Sequence, residues 1–306
     1  MMSTTASKVR PGHRPHLTST SDLPLALVFI APAAVGLIVF LIRPLIMGIY
    51  YSFTNFNVLT PPHWAGLKNY AELFADDRFW NSLSVTVEYV IINIGAQTIL
   101  AVLIAALMHR LTKSTWVRSF VLTPYLVSNV VTALVFLWML DTQLGIVNHV
   151  ITSLGGSAVG FWTTESTVIP TVALVNVWRN MGYTALLIFA GLQGIPENLY
   201  EAGRTDGATE SQMFFRITLP LLRPILALVL IMTIIGSFQV FDTVAVATSG
   251  GPADASNVLQ MYIYQKAFGE FDFGYASALS VALMIILVII TAIQYKVTRA
   301  GETDLD

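Results

Sequence analysis

The sequence predicts an all-α, polytopic membrane protein with six transmembrane helices and a polar cytoplasmic loop between the fourth and the fifth. Three observations predict it. Apolar residues make up 55% of the chain and charged residues only 11%, where a soluble globular protein carries about 25% charged residues. Apolar stretches long enough to cross a bilayer recur along the chain, separated by polar connections, and the mean hydropathy is +0.69. Lys and Arg collect on alternate connections, as the positive-inside rule requires. The near balance of 16 basic and 18 acidic residues offers no basic surface, so no nucleic-acid partner is expected. Cysteine is absent, which excludes disulfides, thiolate metal sites and cysteine nucleophiles.

Residues 1–21 are polar, carry Lys8, Arg10 and Arg14, and lack apolar periodicity; they read as a disordered cytoplasmic tail. His13 and His16 have a ligand-like spacing but no helical context and no further ligands, so no metal site is expected. The first span runs over about residues 23–42 and continues more weakly to 56. It is too long for a cleaved signal peptide and no small-residue cleavage site closes it. Pro32 can kink such a helix without forbidding it in a membrane. A mixed connection with Lys68 and Arg78 leads to the second span, about 83–108. A short basic loop with Arg110, Lys113 and Arg118 precedes the third, about 119–140. Residues 141–167 contain no Lys or Arg. The fourth span is about 168–192, the fifth about 225–248 and the sixth about 275–295, followed by Lys296, Arg299 and a short tail over 299–306. The permease domain so bounded covers residues 22–298, and the positive charge places both termini and the loop at 195–224 in the cytoplasm.

That loop contains the most informative stretch, EAGRTDGATESQMFFRITLP over 201–220. Ile195, Leu199 and Ala202 recur on one helical face, and Pro196 suits a first helical position because its missing N–H is not needed there. Asp206-Gly207 is turn chemistry, and Thr209 followed by Gln212 is a capping box that restarts a helix. Glu201 and Arg204 are spaced to pair within the first helix. Pro220 and Pro224 mark re-entry into apolar sequence. The product is a short helix–turn–helix carried on the ends of two spans.

Glu201, Ala202, Gly207, Ile217, Leu219 and Pro220 stand at the offsets Glu-Ala-Ala, three residues, Gly, nine residues, Ile-x-Leu-Pro. The stretch resembles the EAA loop of permease subunits in binding-protein-dependent ABC importers. Gly203 replaces the second Ala, which weakens the first helix by about 1 kcal/mol. Ser52-Phe53-Thr54-Asn55-Phe56, Gly66-Leu67-Lys68-Asn69-Tyr70, Trp178-Arg179-Asn180 and Ser249-Gly250-Gly251-Pro252 are similar to pieces of the carbohydrate and glycerol-3-phosphate branch, the maltose-type permeases. The resemblance implies a permease subunit moving a sugar or oligosaccharide. Its partners would be a second, related permease, two ATPase subunits holding ATP and Mg, and an extracytoplasmic solute-binding protein. It also implies that Glu201, Ala202, Gly203, Asp206, Gly207, Ile217, Leu219 and Pro220 couple to the ATPase. Glycerol-3-phosphate is the alternative substrate. A secondary transporter is the alternative class, against which the loop argues.

No cofactor or catalytic function is expected in this chain. It has no GxxxxGK[ST] phosphate cradle and no HExxH, and Gly155-Gly156-Ser157 lacks the Gly that a nucleophile elbow needs at 159. The intramembrane polar residues are the candidate pathway. Arg179 inside a span costs about 2.5–3.5 kcal/mol on insertion scales, so it should face a cavity, a partner helix or a counter-charge, for which Glu88 and Asp242 are the candidates. Asn93 and Gln97 are four apart and share a face. Asn129 follows Tyr125 and Ser128 in the third span, and Gln239 and Asp242 lie in the fifth. Asn176, Asn180 and Tyr183 form a stripe on the fourth span that must face the bundle interior, either a transport cavity or a partner permease. Amides for hydroxyls and aromatic faces for ring C–H groups are what a sugar needs. The same residues can instead bond helix to helix, at about 0.6–2 kcal/mol per contact.

Overall fold

The computed structural model describes residues 23–111 and 114–298. The sequence readings at residues 1–21, Lys113 and 299–306 lie outside the described residues. Helices and their connections make up the described chain, apart from one isolated bridge between Thr54 and Trp64. The chain divides into two units, at Tyr50 and Tyr51.

The first unit is the N-terminal span, α1 (Leu23–Leu37) and α2 (Arg43–Tyr51) joined by a wide π turn over Ile38–Ile42. Apart from Arg43 its sequence is apolar on every face, as hydrocarbon surroundings require. The π turn stands just before Pro44: a residue without an N–H breaks the ladder, and one wider turn absorbs the mismatch.

The second unit begins at Tyr51, and its first full helices are α3 (Lys68–Ala75) and the long α4 (Asp77–Leu111). Then come α5 (Thr115–Leu126), α6 (Asn129–Met139), the short α7 (Ile146–Ser153) and α8 (Glu165–Leu192). The polar loop contains α9 (Glu197–Thr205) and α10 (Glu210–Met213). After it stand α11 (Leu219–Leu221), α12 (Arg223–Phe238), α13 (Asp242–Ala247), α14 (Leu259–Tyr264) and α15 (Phe273–Thr298).

Among the described residues, 5 spans are long and apolar enough to cross a membrane, and up to 6 if α5 and α6 count as one. The sequence predicts the third span as one stretch over 119–140; the structure breaks it at Val127 and Ser128, with an 88° bend between the two helices. Pro124 removes a donor from the last turn of α5, which weakens the helix where it ends. The fifth span is likewise interrupted, at 239–241, between α12 and α13.

Small residues allow the spans to approach. Ala101 and Ala105 of α4 and Ala185 of α8 are all 0% exposed and lie in one cluster with Ile188, Leu222 and Val229. Where α5 meets α8, a Cβ on Gly182 would stand 2.0 Å from the Val121 carbonyl oxygen, so only glycine permits that crossing. A second cluster, with Tyr89, Ile169, Val172, Tyr262 and Leu279, fills the other half of the bundle.

Two of the short sequence pieces fold onto each other. Asn69 Nδ2 donates to the carbonyls of Ser52 and Thr54 at 2.9 Å, and the Ser52 and Tyr70 hydroxyls lie 2.7 Å apart. Nearby, Asp76, between α3 and α4, accepts hydrogen bonds from Tyr262 at 2.5 Å and Tyr275 at 2.6 Å. Burial works against ionisation of Asp76, but the two hydroxyls and the amides of Arg78 and Phe79 outweigh it and hold its carboxyl below the usual range. Burial, reinforced by Asp76, pushes the Tyr262 hydroxyl up.

Gly182→Val should therefore lower the melting temperature of the detergent-purified protein, since overpacking costs about 1–3 kcal/mol. Gly95→Val, where a Cβ meets nothing within 4 Å, should not.

Candidate functional site

A cavity of about 250 Å³ opens among α4, α8 and the two helix breaks. All nine predicted pathway residues line it: Asn93, Gln97, Asn129, Asn176, Arg179, Asn180, Tyr183, Gln239 and Asp242. The structure divides them into two sets.

The first set is buried and bonds helix to helix. Asn93 Nδ2 donates to Ser237 Oγ of α12 at 2.9 Å and to Gln97 Oε1 at 3.3 Å, and Gln97 Nε2 donates to Thr184 Oγ1 of α8 at 2.8 Å. Asn93, Gln97, Thr184 and Ser237 are at most 5% exposed. This chain of buried amides and hydroxyls ties α4, α8 and α12 together.

The second set reaches the cavity more openly. Arg179 is the centre of it: it faces the cavity and a neighbouring helix end, and among the described residues neither candidate counter-charge, Glu88 or Asp242, is its partner. Its Nε donates to the Val127 carbonyl at 2.9 Å, Nη2 to the Tyr125 carbonyl at 3.2 Å and Nη1 to Asn180 Oδ1 at 3.2 Å. The break at Val127 and Ser128 ends α5 and leaves its last carbonyls without helical donors. A cation at that C-terminus satisfies them and meets the negative end of the helix dipole. The guanidinium also lies 5.2 Å from the Tyr125 ring centroid, and Tyr125 stacks on Tyr183 at 4.5 Å. Asp242, at the start of α13, instead accepts from Asn129 Nδ2 at 2.7 Å, at the start of α6. Glu88 is exposed on α4. The stripe on α8 turns inward: Asn176 Nδ2 donates to Thr243 Oγ1 at 3.2 Å, and Asn180 Nδ2 to the Asn176 carbonyl at 2.8 Å.

The polar loop is joined directly to the helices that line the cavity, α8 before it and α12 after it. Its turn is as the sequence predicts. Gly207 has φ +77°, a conformation that L side chains adopt with strain. The capping box is complete: Thr209 N–H donates to Gln212 Oε1 at 2.8 Å, and Gln212 N–H to Thr209 Oγ1 at 3.3 Å. Pro196 stands one position earlier than predicted, as the extended residue before Glu197. Arg204 turns to Glu210, at 3.7 Å, rather than to Glu201; Glu210 also pairs with Arg110 of α4 at 2.7 Å. Gly203 packs under the second half of the loop, where a Cβ would lie 3.3 Å from Ile217 Cδ1 and from Met213 Sδ. Glu201, Ala202, Asp206 and Gly207 are exposed, while Ile217, Leu219 and Pro220 are half-buried beneath them.

Residues 97–300 match the profile of the binding-protein-dependent transport system inner membrane component. The chain belongs to that family. Over 284 residues it is 32% identical to the sulfoquinovosyl glycerol transport system permease protein of Agrobacterium fabrum, covering 92% of each chain. It is 32% identical over 278 residues to the trehalose/maltose transport system permease protein of Thermococcus litoralis, covering 90% of this chain and 94% of that one. The fold is shared with a bacterial ABC transporter involved in the import of the acidic polysaccharide alginate, at a TM-score of 0.81 and 22% identity over 91% of this chain and 96% of that one. The protein is therefore a membrane-spanning permease, like its relatives.

Sequence reasoning missed other polar residues of this permease's cavity, among them Tyr89, Thr184, Ser237 and Thr243. Tyr89 precedes Asn93 by four residues and Thr184 follows Asn180 by four, so both extend a polar line already visible on one helix face. Ser237 and Thr243 gave no such signal, because they flank a break that apolar periodicity does not reveal.

Arg179→Met should lower the thermal stability of the purified permease, at about 1.5–3 kcal/mol for each hydrogen bond lost from a charged donor. Arg179→Lys should restore only part of it, because an ammonium cannot span both carbonyls as the planar fork does.

Proposed function

We propose that the chain is the permease subunit of an ATP-driven importer for a sugar or oligosaccharide. A second permease of related sequence, two ATPase subunits and an extracytoplasmic binding protein complete the machine. ATP and Mg belong to the ATPase; this chain supplies the path and the lever. One observation carries the proposal: the exposed helix–turn–helix of α9 and α10 is a covalent continuation of α8 and α12, both of which line the amide- and tyrosine-bearing cavity. Motion imposed on the loop by a nucleotide-driven partner reaches the cavity walls through these helices. The breaks in the third and fifth spans provide walls that can rearrange, as irregular backbone at membrane depth does where it borders a cavity. The names of relatives support the sugar: starch degradation products in Thermoanaerobacterium thermosulfurigenes, and trehalose and maltose in Thermococcus litoralis. At about 250 Å³ the cavity falls just below the roughly 300–1,000 Å³ of a whole ligand pocket, which suits a wall completed by the second permease.

Reconstitution of this chain with its partner subunits in proteoliposomes tests the proposal, by uptake of a panel of labelled sugars and glycerol-3-phosphate with ATP inside. Uptake by this chain alone, without the ATPase, would move it to the secondary transporters. Gly207→Pro should leave insertion and assembly intact and abolish ATP-driven uptake, because proline fixes φ near −65° where the turn needs +77°. Normal uptake by that variant would detach the loop from coupling.

The Lys/Arg asymmetry places the loop in the cytoplasm together with both termini. Single cysteines at the exposed Ser114, Thr60 and Ser157 check this. Ser114 should react only with reagent on the cytoplasmic side, Thr60 and Ser157 only with reagent outside. The reverse pattern would invert the topology.

A further inference from the structure

We infer that Glu210 is a positioning residue for coupling, a strut that turns the cytoplasmic loop from a hinged flap into a lever on α4. The inference rests on the coupling role proposed above and adds to it a residue outside the Glu-Ala-Ala pattern. Within itself the loop is a firm unit. Gly203 packs against Met213 and Ile217, the capping box fixes the start of α10, and the Tyr200 and Thr218 hydroxyls lie 3.0 Å apart. At its ends the loop is jointed. Residues 193–196, with Gly194 among them, stand outside any helix between α8 and α9. On the other side a π turn over Phe214–Thr218 and the short α11 precede α12. A firm body held at two joints can still rotate about the line between them.

There is room for that rotation behind the loop. A cleft of about 840 Å³ lies between it and the ends of α4 and α8, with His109, Arg110, Tyr200, Arg204 and Glu210 in its lining. Glu210 bridges this cleft. Its carboxylate stands 2.7 Å from an Arg110 nitrogen and 3.7 Å from Arg204 Nε, so one side chain of α10 holds both α9 and α4. Among the described residues no other ion pair joins the loop to a transmembrane helix. Arg110 occupies the last turn of α4, where the helix dipole favours a cation. α4 is not continuous with the loop in the chain, yet it supplies Tyr89, Asn93 and Gln97 to the cavity. The strut gives the loop a third point of attachment, on a cavity wall to which it has no covalent link. All three side chains are about half-exposed, so the cluster adds little to stability. Its consequence is positional.

The test uses the complex of both permeases and the ATPases in proteoliposomes, with Arg110→Glu, Glu210→Arg and the double swap. The swap again sets one carboxylate between two guanidiniums, now with Arg204 and the exchanged pair. Spin labels on Leu107→Cys of α4 and Thr205→Cys of α9 report the strut directly, since this chain has no cysteine of its own. Each single change should broaden the distance distribution or add a second distance, and the swap should restore the wild-type one. Uptake per ATP hydrolysed, read with the best-transported labelled sugar of the panel above, should fall about two- to fivefold in each single change, the scale of one exposed ion pair. The swap should recover it. A merely structural role would lower uptake and hydrolysis together and leave their ratio unchanged. An unchanged distance distribution or an unchanged ratio in either single change, or a swap no better than the singles, would overturn the inference. If Gly207→Pro loses uptake in the same assay, the coupling role stands whatever becomes of the strut.

Discussion

The guanidinium of Arg179 joins a straight helix to a broken one, and the architecture of the cavity follows from that contact. α5 ends at Leu126 because Pro124 and the extended Val127 and Ser128 interrupt it, and the chain turns by 88° before α6 begins. In hydrocarbon the carbonyls freed by such a break cost several kcal/mol each if they find no donor. Arg179 donates to two of them from α8, beside the place where Gly182 lets α5 approach. The charge that looks improbable in the sequence thus makes the bend possible. In return, the helix end stabilises the charge without a carboxylate partner.

Asp242, freed from neutralising Arg179, occupies a matching position at the second break. It stands at the N-terminus of α13 and bonds Asn129 at the N-terminus of α6. Two interrupted spans are thereby joined at their breaks, opposite the unbroken α4 and α8. The buried line of Asn93, Gln97, Thr184 and Ser237 fixes the unbroken side. One wall of the cavity is held by buried side-chain hydrogen bonds and the other is made of helix ends.

The loop shows how a recognisable sequence pattern separates into support and surface. Gly203, Met213, Ile217 and the capping box set the angle between the two short helices, while Glu201, Ala202, Asp206 and Gly207 present an exposed ridge. Glu210 holds that ridge to α4 through Arg110, an ion pair between half-exposed side chains and hence a modest contribution. The glycine that departs from the family pattern fits the structure: the space its missing Cβ leaves is occupied by Met213 and Ile217.

The sequence alone determined the membrane class, the approximate limits of the spans, the helix–turn–helix with its glycine turn and capping box, and the polar residues that meet in the cavity. Each is local or periodic information: hydropathy over a span, φ at one residue, a face repeated every fourth position. Tertiary structure decided how those polar groups pair. Whether Arg179 meets Asp242 or a carbonyl depends on where a neighbouring helix stops. The breaks at Val127 and at 239–241 fall within runs of ordinary apolar composition, so hydropathy passes over them. Only the packing of α5 and α12 against α8 settles which backbone groups are left for a side chain to satisfy, because a hydrogen bond between distant segments is fixed by their approach and not by their order in the chain.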